Sequence, residues 1–383
     1  MVGWSLWWVL AGTLLPTDWH GAARVVERAI GRRLFPGAVL VVGRSDTVLY
    51  ARGFGHLEWK GRARRPDPAA TLWDLASLTK VVATTSAAMM LVDQGRVDLD
   101  QPVVRYLPEF GSEGDKDRVT IRMLLDHTSG LPSYRPLYQS AGTRDEAAAG
   151  ALAVPLEAAP GTRMRYSDLN AIVLGLVVER MAGTSLDQFA EQNVFRRLGM
   201  RRTVFAPGVA DQTNVAPSIA HRGLAAPGEV NDRNALALGG VAGHAGLFAT
   251  GLDLARYAQA WIRGDRLGDT TWIQPSTIRR FLARGDRSGT RVLGWDTPDL
   301  DHPDKSPFGR LATPSMFGHT GWTGTFLWFD PARDLFLVLL TNRSLGPNTG
   351  RSLRSMRALR AELSDAVALA VPARCSAIPA IGC

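Results

Sequence analysis

The sequence predicts an α/β protein of the α+β kind: a mostly antiparallel sheet flanked by helices, with an inserted all-helical domain. Strand-like runs occur near both ends of the 383-residue chain, and helix-like runs fill its middle. The chain is too long for one minimal domain, and its hydrophobic content of 45% is enough for a large core. We therefore expect the two ends of the chain to build one sheet.

An apolar segment opens the sequence, from Trp4 to Leu15, and stops at Pro16. It is too short to cross a bilayer as a helix, so we predict no stable membrane span. It has the length of the apolar part of an export signal, although no Lys or Arg precedes it and no clear cleavage site follows. We interpret residues 1–16 as a degraded signal of a periplasmic or secreted protein; a cytoplasmic protein with an apolar N-terminal helix is the alternative.

One hairpin is predicted near each end of the chain. Gly37–Val42 and Thr47–Gly55 are the β-rich runs of the first, and Gly324–Phe329 and Leu335–Thr341 flank the turn of the second. Apolar residues at helical spacing follow, giving one face to lay on a sheet: Leu353, Met356, Leu359, Leu363 and Val367. We assign residues 17–75 and 235–370 to one discontinuous sandwich domain, with a tail at 371–383.

Residues 76–234 form the predicted helical insert. Its helices are expected at Ser77–Gln94, Thr120–His127, Leu169–Met181 and Ser185–Leu198. Glycines closely follow the first and third of these, and glycine commonly ends a helix.

The formal net charge of +8 does not indicate a nucleic-acid partner. Only four residues are lysine, and the arginines are scattered without a dense basic run or interleaved aromatic residues. Cys375 and Cys383 lack metal-site spacing, and whether they pair is left open. We predict no metal and no cofactor, and the sequence leaves the oligomeric state open.

The most unusual position is Lys80, which lies in a helix that is apolar on nearly every side. Such a helix is buried, and a buried lysine needs a partner or a purpose. Ser77 precedes it by three residues, so both side chains reach the same side of a helix. A lysine with a lowered pKa can take the proton of a serine nucleophile, which makes this pair a candidate catalytic site. The alternative is an ordinary lysine whose ammonium reaches solvent.

Two further segments carry candidate site residues. Tyr166 can relay protons beside a cationic lysine, whereas Asp168 is equally well placed to cap the following helix. In the glycine-rich segment 317–324, His319 and Thr320 could contact a substrate carboxylate or carbonyl, although such a segment is usually only a turn.

Together these segments resemble the serine β-lactamase and penicillin-binding-protein superfamily. The matching motifs are Ser77-Leu78-Thr79-Lys80, Tyr166-Ser167-Asp168 and His319-Thr320-Gly321, with further similarity at 124–132 and 239–247. The resemblance implies that Ser77 attacks a carbonyl while Lys80 and Tyr166 share proton transfer. It also implies an oxyanion hole from the backbone N–H groups of Ser77 and Trp322, with Asp168, His319, Thr320, Gly321 and Trp322 contacting substrate.

Two positions depart from the drug-binding and β-lactamase branches. His319 replaces a lysine, so the site lacks a fixed positive charge for a substrate carboxylate. Asp168 replaces an asparagine, and a carboxylate beside Lys80 keeps that lysine protonated, which shifts the base role toward Tyr166. Both departures argue against an efficient β-lactamase or D,D-carboxypeptidase. They favour the branch with cell-wall-fragment amidases, penicillin-binding-protein-like hydrolases and esterases.

The sequence therefore predicts a serine hydrolase that acts through an acyl-enzyme on an amide or ester. A peptidoglycan fragment is the expected substrate, for a muropeptide amidase or a D-alanyl carboxypeptidase. An esterase of small esters, a weak β-lactamase and a non-catalytic peptidoglycan-binding or sensor module are the alternatives. An α/β-hydrolase is disfavoured because no Gly-x-Ser-x-Gly segment occurs, and a zinc hydrolase because no His-Glu-x-x-His segment occurs.

Overall fold

The computed structural model describes residues 18–59, 63–111, 113–207, 214–218, 228–264, 266–267, 270–285, 289–347 and 350–371. The apolar N-terminal segment lies outside these ranges, as do Cys375, Cys383 and all but the first residue of the predicted tail. The interpretation of the N-terminus as an export signal therefore stays a prediction.

The residues that the structure describes include ten α-helices and ten strands. The strands are β1 Gly37–Gly43, β2 Val48–Gly55, β3 Trp73–Asp74, β4 Val204–Phe205, β5 Leu247–Ala249, β6 Arg266–Leu267, β7 Thr270–Thr271, β8 Phe317–Thr320, β9 Phe326–Asp330 and β10 Leu335–Thr341. The helices are α1 His20–Gly31, α2 Ser86–Asp93, α3 Ile121–Leu125, α4 Arg144–Ala153, α5 Asp168–Ala182, α6 Leu186–Ala190, α7 Arg233–Ala237, α8 Gly251–Arg263, α9 Pro275–Leu282 and α10 Gly350–Ala370. A π-helical segment, Lys80–Thr85, leads directly into α2.

The main sheet joins strands from both ends of the chain, in the order β2-β1-β10-β9-β8. Every neighbouring pair is antiparallel, and Leu40 of β1 lies opposite Leu339 of β10. Both predicted hairpins are present. An additional strand, β8, lies in the glycine-rich segment 317–324. The predicted fold class is confirmed, and the predicted helical insert also contributes the two-residue strand β4.

Helices cover both faces of this sheet. Ala38, Leu40 and Val42 of β1 belong to the apolar cluster that includes α1 and α10. Val39 and Val41 belong to the opposite cluster, which includes α8 and the helical region. All seven residues of β1 are buried, as expected for a strand covered on both faces. The sheet is therefore a rigid support for the residues of its edge strand β8.

A second sheet has three strands, in the order β3-β5-β4. In it, Trp73 lies opposite Ala249 and Asp74 opposite Phe248. This pairing brings the segment before Ser77 next to the segment after His244, although the two are far apart in sequence.

Among the residues that the structure describes, no single helix has both the length and the apolar character needed to cross a membrane. One helix pair, Asp168–Ala182 with Leu186–Phe195, has the length and composition together, but it is bent by 74°.

Gly243 lies where the segment 239–247 crosses α5. A Cβ atom at this position would lie 1.9 Å from the backbone oxygen of Ala171, and the Gly243 carbonyl accepts a hydrogen bond of 2.7 Å from the Thr84 hydroxyl. No side chain larger than hydrogen fits there without moving α5 or the segment itself.

Gly243→Ala should therefore lower the free energy of unfolding by about 3 kcal/mol, because backbone atoms must move to admit a methyl group. Chemical denaturation monitored by circular dichroism measures this loss. Gly31→Ala is the matched control: a Cβ atom there meets nothing within 4 Å, and alanine favours the helix. Equal stability of the two variants would contradict this account of the crossing.

Candidate active site

Ser77 lies in a tight turn after β3, directly before helical residues 78–79 and the π-helical segment, so the helix begins one residue later than predicted. The backbone N–H of Lys80 donates to the Ser77 carbonyl at 3.1 Å, so the expected three-residue relation holds. Ala76, just before the serine, has a φ of 47°, which is rare for a residue other than glycine. The strained turn exposes the Ser77 side chain beside the edge of the main sheet.

The carboxylate of Asp74 holds this turn in place. It accepts hydrogen bonds from the backbone N–H groups of Ala76 at 2.8 Å and of Asn231 at 2.7 Å. Burial raises the pKa of Asp74 from its ordinary 3.8 to about 6, against the opposing effect of these two bonds. Asp74 thus connects the nucleophile turn to the segment that leads into α7.

The ammonium group of Lys80 lies at the centre of the site. Its Nζ is 2.9 Å from Ser77 Oγ, 2.7 Å from Asp168 Oδ1 and 3.2 Å from the carbonyl oxygen of His244. The lysine side chain is only 4% exposed, and the Asp168 side chain is 23% exposed. Three separate segments therefore converge on one buried cation.

The structure reverses one expectation for Lys80. Burial opposes its charge, but attraction to the Asp168 carboxylate and to Tyr166 outweighs burial and raises the lysine's pKa above its ordinary value. This direction is opposite to the expectation of a lysine with a lowered pKa, and it agrees with the expected effect of Asp168 on Lys80. Asp168 is not the cap of α5 either, because Ser167 occupies that position.

Tyr166 lies between two cations. Lys80 Nζ is 5.0 Å from the centre of its ring, and Arg291 Cζ is 5.1 Å from it. The rings of His127 and His319 pack against the same tyrosine, at centroid distances of 4.7 and 5.9 Å. Tyr166 is thus held beside the serine–lysine pair by aromatic and cationic neighbours.

His127 and His244 have hydrogen-bonding partners. His127 Nδ1 accepts from the backbone N–H of Ser167 at 3.2 Å and lies 3.1 Å from the side-chain nitrogen of Asn170. His244 Nε2 lies 2.8 Å from Asp232 Oδ1, a contact that helps to lower the pKa of Asp232 despite its burial. Both histidines are therefore held in place by hydrogen bonds within the fold.

The edge strand β8 and the turn after it form the other wall of the site. The Gly321 N–H donates to the Thr325 carbonyl at 2.9 Å, and a Cβ atom on Gly321 would lie 2.0 Å from Thr325 Oγ1. The backbone N–H groups of Ser77 and Trp322 have no backbone hydrogen bond within the described part of the chain. Two such donors suit a developing oxyanion.

The imidazole of His319 is neutral at neutral pH. Burial lowers its pKa well below the ordinary value, and the charges of Arg291 and Lys80 lower it further. Its Nδ1 lies 2.9 Å from the Thr320 carbonyl. The position therefore carries no positive charge, as the sequence indicated.

A cleft of about 650 Å³ joins these groups, within the size range of ligand sites. All the predicted site residues line it except Lys80, which lies behind its wall. Sequence reasoning missed several lining residues, among them Tyr134, Asp232, Arg291, Arg343 and Arg360. No motif marks them, because each comes from a segment without local resemblance to a catalytic pattern.

A serine, a buried lysine and a tyrosine beside the edge of an antiparallel sheet define the class of serine hydrolases that work through an acyl-enzyme. The chain belongs to the beta-lactamase family, whose model matches residues 22–362.

Similar proteins agree with this membership. An N-acetylmuramyl-L-alanine amidase of Bacillus subtilis (strain 168) is 33% identical over 359 residues, covering 85% of this chain and 80% of that protein. An Escherichia coli (strain K12) protein with the provisional name D-alanyl-D-alanine carboxypeptidase is 31% identical over 353 residues, with 82% and 80% covered. A penicillin-binding protein homologue of Caulobacter crescentus has the same fold, with a TM-score of 0.70, 22% identity, and 92% and 97% covered.

The raised pKa of Asp74 makes a testable contribution to stability. A carboxyl group with a raised pKa stabilises the fold below its unfolded pKa, and this stability is lost as pH rises through about 6. We expect a loss of about 2 kcal/mol between pH 4 and 7 that is present in the wild type and missing in Asp74→Asn. Urea titrations of both proteins at several pH values measure it; parallel curves would contradict the assignment.

Removing the Asp168 charge should change the pH dependence of activity. In Asp168→Asn the lysine stays buried but loses its carboxylate, so its pKa falls and the charged form is lost at lower pH. The alkaline limb of kcat/KM should then move down by about one pH unit or more. Asp304→Asn, which removes half of an exposed ion pair with Arg310, should leave the profile unchanged. A profile unchanged by Asp168→Asn would argue against a charged Lys80.

Proposed function

We propose that this protein is an amidase of cell-wall muropeptides, which cleaves the amide between the lactyl group of N-acetylmuramic acid and L-alanine. The observation that carries the proposal is the Ser77–Lys80–Asp168 cluster beside an edge strand that has no cation at His319. The name of the Bacillus subtilis relative supports the choice of substrate.

In this proposal Ser77 is the nucleophile. Its Oγ attacks the lactyl carbonyl, and its proton passes toward Tyr166 while Lys80 remains a fixed cation. The N–H groups of Ser77 and Trp322 stabilise the oxyanion. The carbon–nitrogen bond then breaks, the proton goes to the leaving amine of L-alanine, and the lactyl group remains as an ester on the serine.

Water completes the reaction by the same route. It attacks the ester carbonyl, gives a proton toward Tyr166, and the ester bond to Ser77 breaks. The serine recovers its proton, and the lactyl carboxylic acid leaves with the sugar. Atoms balance with one water molecule consumed for each amide cleaved, and no oxidant, metal or cofactor enters the reaction.

The lack of a cation at His319 favours cleavage of this internal amide over cleavage of the amide next to a free C-terminal carboxylate. A carboxypeptidase must recognise the free carboxylate at the end of its peptide, and a cation beside the substrate strand does this well. Here that position holds a neutral, buried histidine. An internal amide, which has no carboxylate next to the bond that breaks, fits the strand better.

A D-alanyl carboxypeptidase is the second candidate, because cations do lie near the strand. Arg291 lines the cleft, and its charge acts on both His127 and His319. The Escherichia coli relative supports this reading by its name.

Mass spectrometry of the products of a disaccharide-peptide muropeptide separates the candidates. We expect wild-type protein to release the intact peptide from the sugar, and Ser77→Ala to lower the rate by about a thousandfold or more. Ser140→Ala, which changes an exposed serine away from the cleft, should retain full activity.

Release of D-alanine alone would replace the amidase with the carboxypeptidase. Turnover of simple esters without turnover of the muropeptide would indicate an esterase. If the amidase, carboxypeptidase and esterase reactions are all absent, and a covalent serine probe does not label Ser77 in folded protein, the protein would instead be a binding module.

A further inference from the structure

Two aromatic side chains on the walls of the cleft are unusually exposed. Among the Phe, Trp and Tyr residues that the structure describes, only Tyr134 and Trp322 belong to the exposed class, at 42% and 47%. Both line the cleft that contains Ser77, and so does Leu353, another exposed apolar residue. Exposed aromatic surface concentrated at one site indicates a surface that contacts a ligand.

The ring of Trp322 is held in place from one side. Arg343 Cζ lies 4.4 Å from the centre of the ring, and Arg343 Nε donates to the Trp322 carbonyl at 2.8 Å. Arg343 is itself buried, and Gly324 closes the turn by donating to the Gly321 carbonyl at 3.1 Å. The guanidinium therefore covers one face of the indole ring, and the exposed area is left for a ligand.

Tyr134 is held at another point of the same cleft. The carbonyl of the preceding residue, Ser133, accepts a hydrogen bond of 3.0 Å from the backbone N–H of Asp168. Burial of the hydroxyl, with the neighbouring carboxylate of Asp232, raises the pKa of Tyr134 to about 12. The hydroxyl thus lies near the Asp232 carboxylate and Tyr138, while the side chain as a whole remains 42% exposed.

A pyranose ring matches this combination. A sugar has apolar C–H faces that pack on aromatic rings and a rim of hydroxyl and amide groups that hydrogen bond with charged side chains. Asp232, Arg233 and Asn231 line the cleft and supply such groups. An extended peptide does not need exposed aromatic rings, because the backbone of the edge strand β8 can pair with it directly.

We propose that Tyr134 and Trp322 form the binding site for an amino-sugar ring of the substrate. This inference rests on the proposed function, and it specifies which part of the muropeptide is recognised. In the amidase reaction the sugar belongs to the acyl half, so the two rings hold it through both the formation and the hydrolysis of the ester on Ser77. Substrate recognition then depends on the sugar and not on the end of the peptide.

A pair of substrates tests the site. One is the disaccharide attached through its lactyl group to L-Ala-D-isoglutamate, and the other is N-(D-lactoyl)-L-Ala-D-isoglutamate, which has the same scissile amide and no sugar. We expect wild-type kcat/KM to be about tenfold higher for the first. Tyr134→Ala and Trp322→Ala should each lower this ratio about fivefold, whereas Tyr134→Phe and Trp322→Phe retain a ring and most of the preference.

Leu300→Ala removes an equally exposed apolar side chain away from the cleft and should leave the ratio unchanged. Thermal unfolding monitored by circular dichroism checks that each variant is folded. Because the measured quantity is a ratio between two substrates, a general loss of catalytic competence does not imitate the expected result. Equal kcat/KM for both substrates in wild type, or a ratio that neither alanine variant changes, would overturn the sugar site.

If the protein is not an amidase, the result is different: wild-type protein turns over neither substrate. Calorimetric titration of Ser77→Ala with the free disaccharide then decides the inference alone. Binding that is weakened by a second substitution, Tyr134→Ala, would support the sugar site without the amidase. Absence of binding would exclude it.

Discussion

The ion pair between Lys80 and Asp168 is the contact on which the rest of the site depends. A buried ammonium needs a carboxylate, and removing one partner of such a pair costs about 3–5 kcal/mol because the other charge stays buried. Lys80 enters from the segment before α2, Asp168 from the first turn of α5, and the His244 carbonyl from the segment before β5. One charge therefore holds three parts of the chain together around the nucleophile.

The distribution of positive charge also sets what the cleft can recognise. His319 is neutral although it occupies the position of a cation in related branches, while Arg291 Cζ lies 5.1 Å from the centre of the Tyr166 ring. Arg343 supports the ring of Trp322. Several cations that line this cleft thus pack against aromatic rings. That arrangement favours a ligand bound through ring faces and hydrogen bonds over one bound by a terminal carboxylate.

Several features were predictable because they depend on neighbours in the chain. The hairpins follow from strand-like runs around short turns, and the relation between Ser77 and Lys80 follows from a spacing of three residues at a helix start. The neutral position at His319 follows from the residue type together with a resemblance to a known motif. In each case the local pattern and the tertiary structure agree, as expected of a sequence whose local preferences match its fold.

What the sequence determined by itself was the fold class, the serine–lysine pair and the motif residues around it, because each depends on contacts between residues close in the chain or on a family motif. The sequence left two opposing expectations for the pKa of Lys80, one lowered by burial and one raised by Asp168. The tertiary structure decided between them, since the sign depends on how closely a carboxylate from another helix approaches. It also decided that Tyr134, Asp232 and Arg291 share one cleft. They meet only through sheet pairing and helix packing, which bring together segments that no local pattern connects.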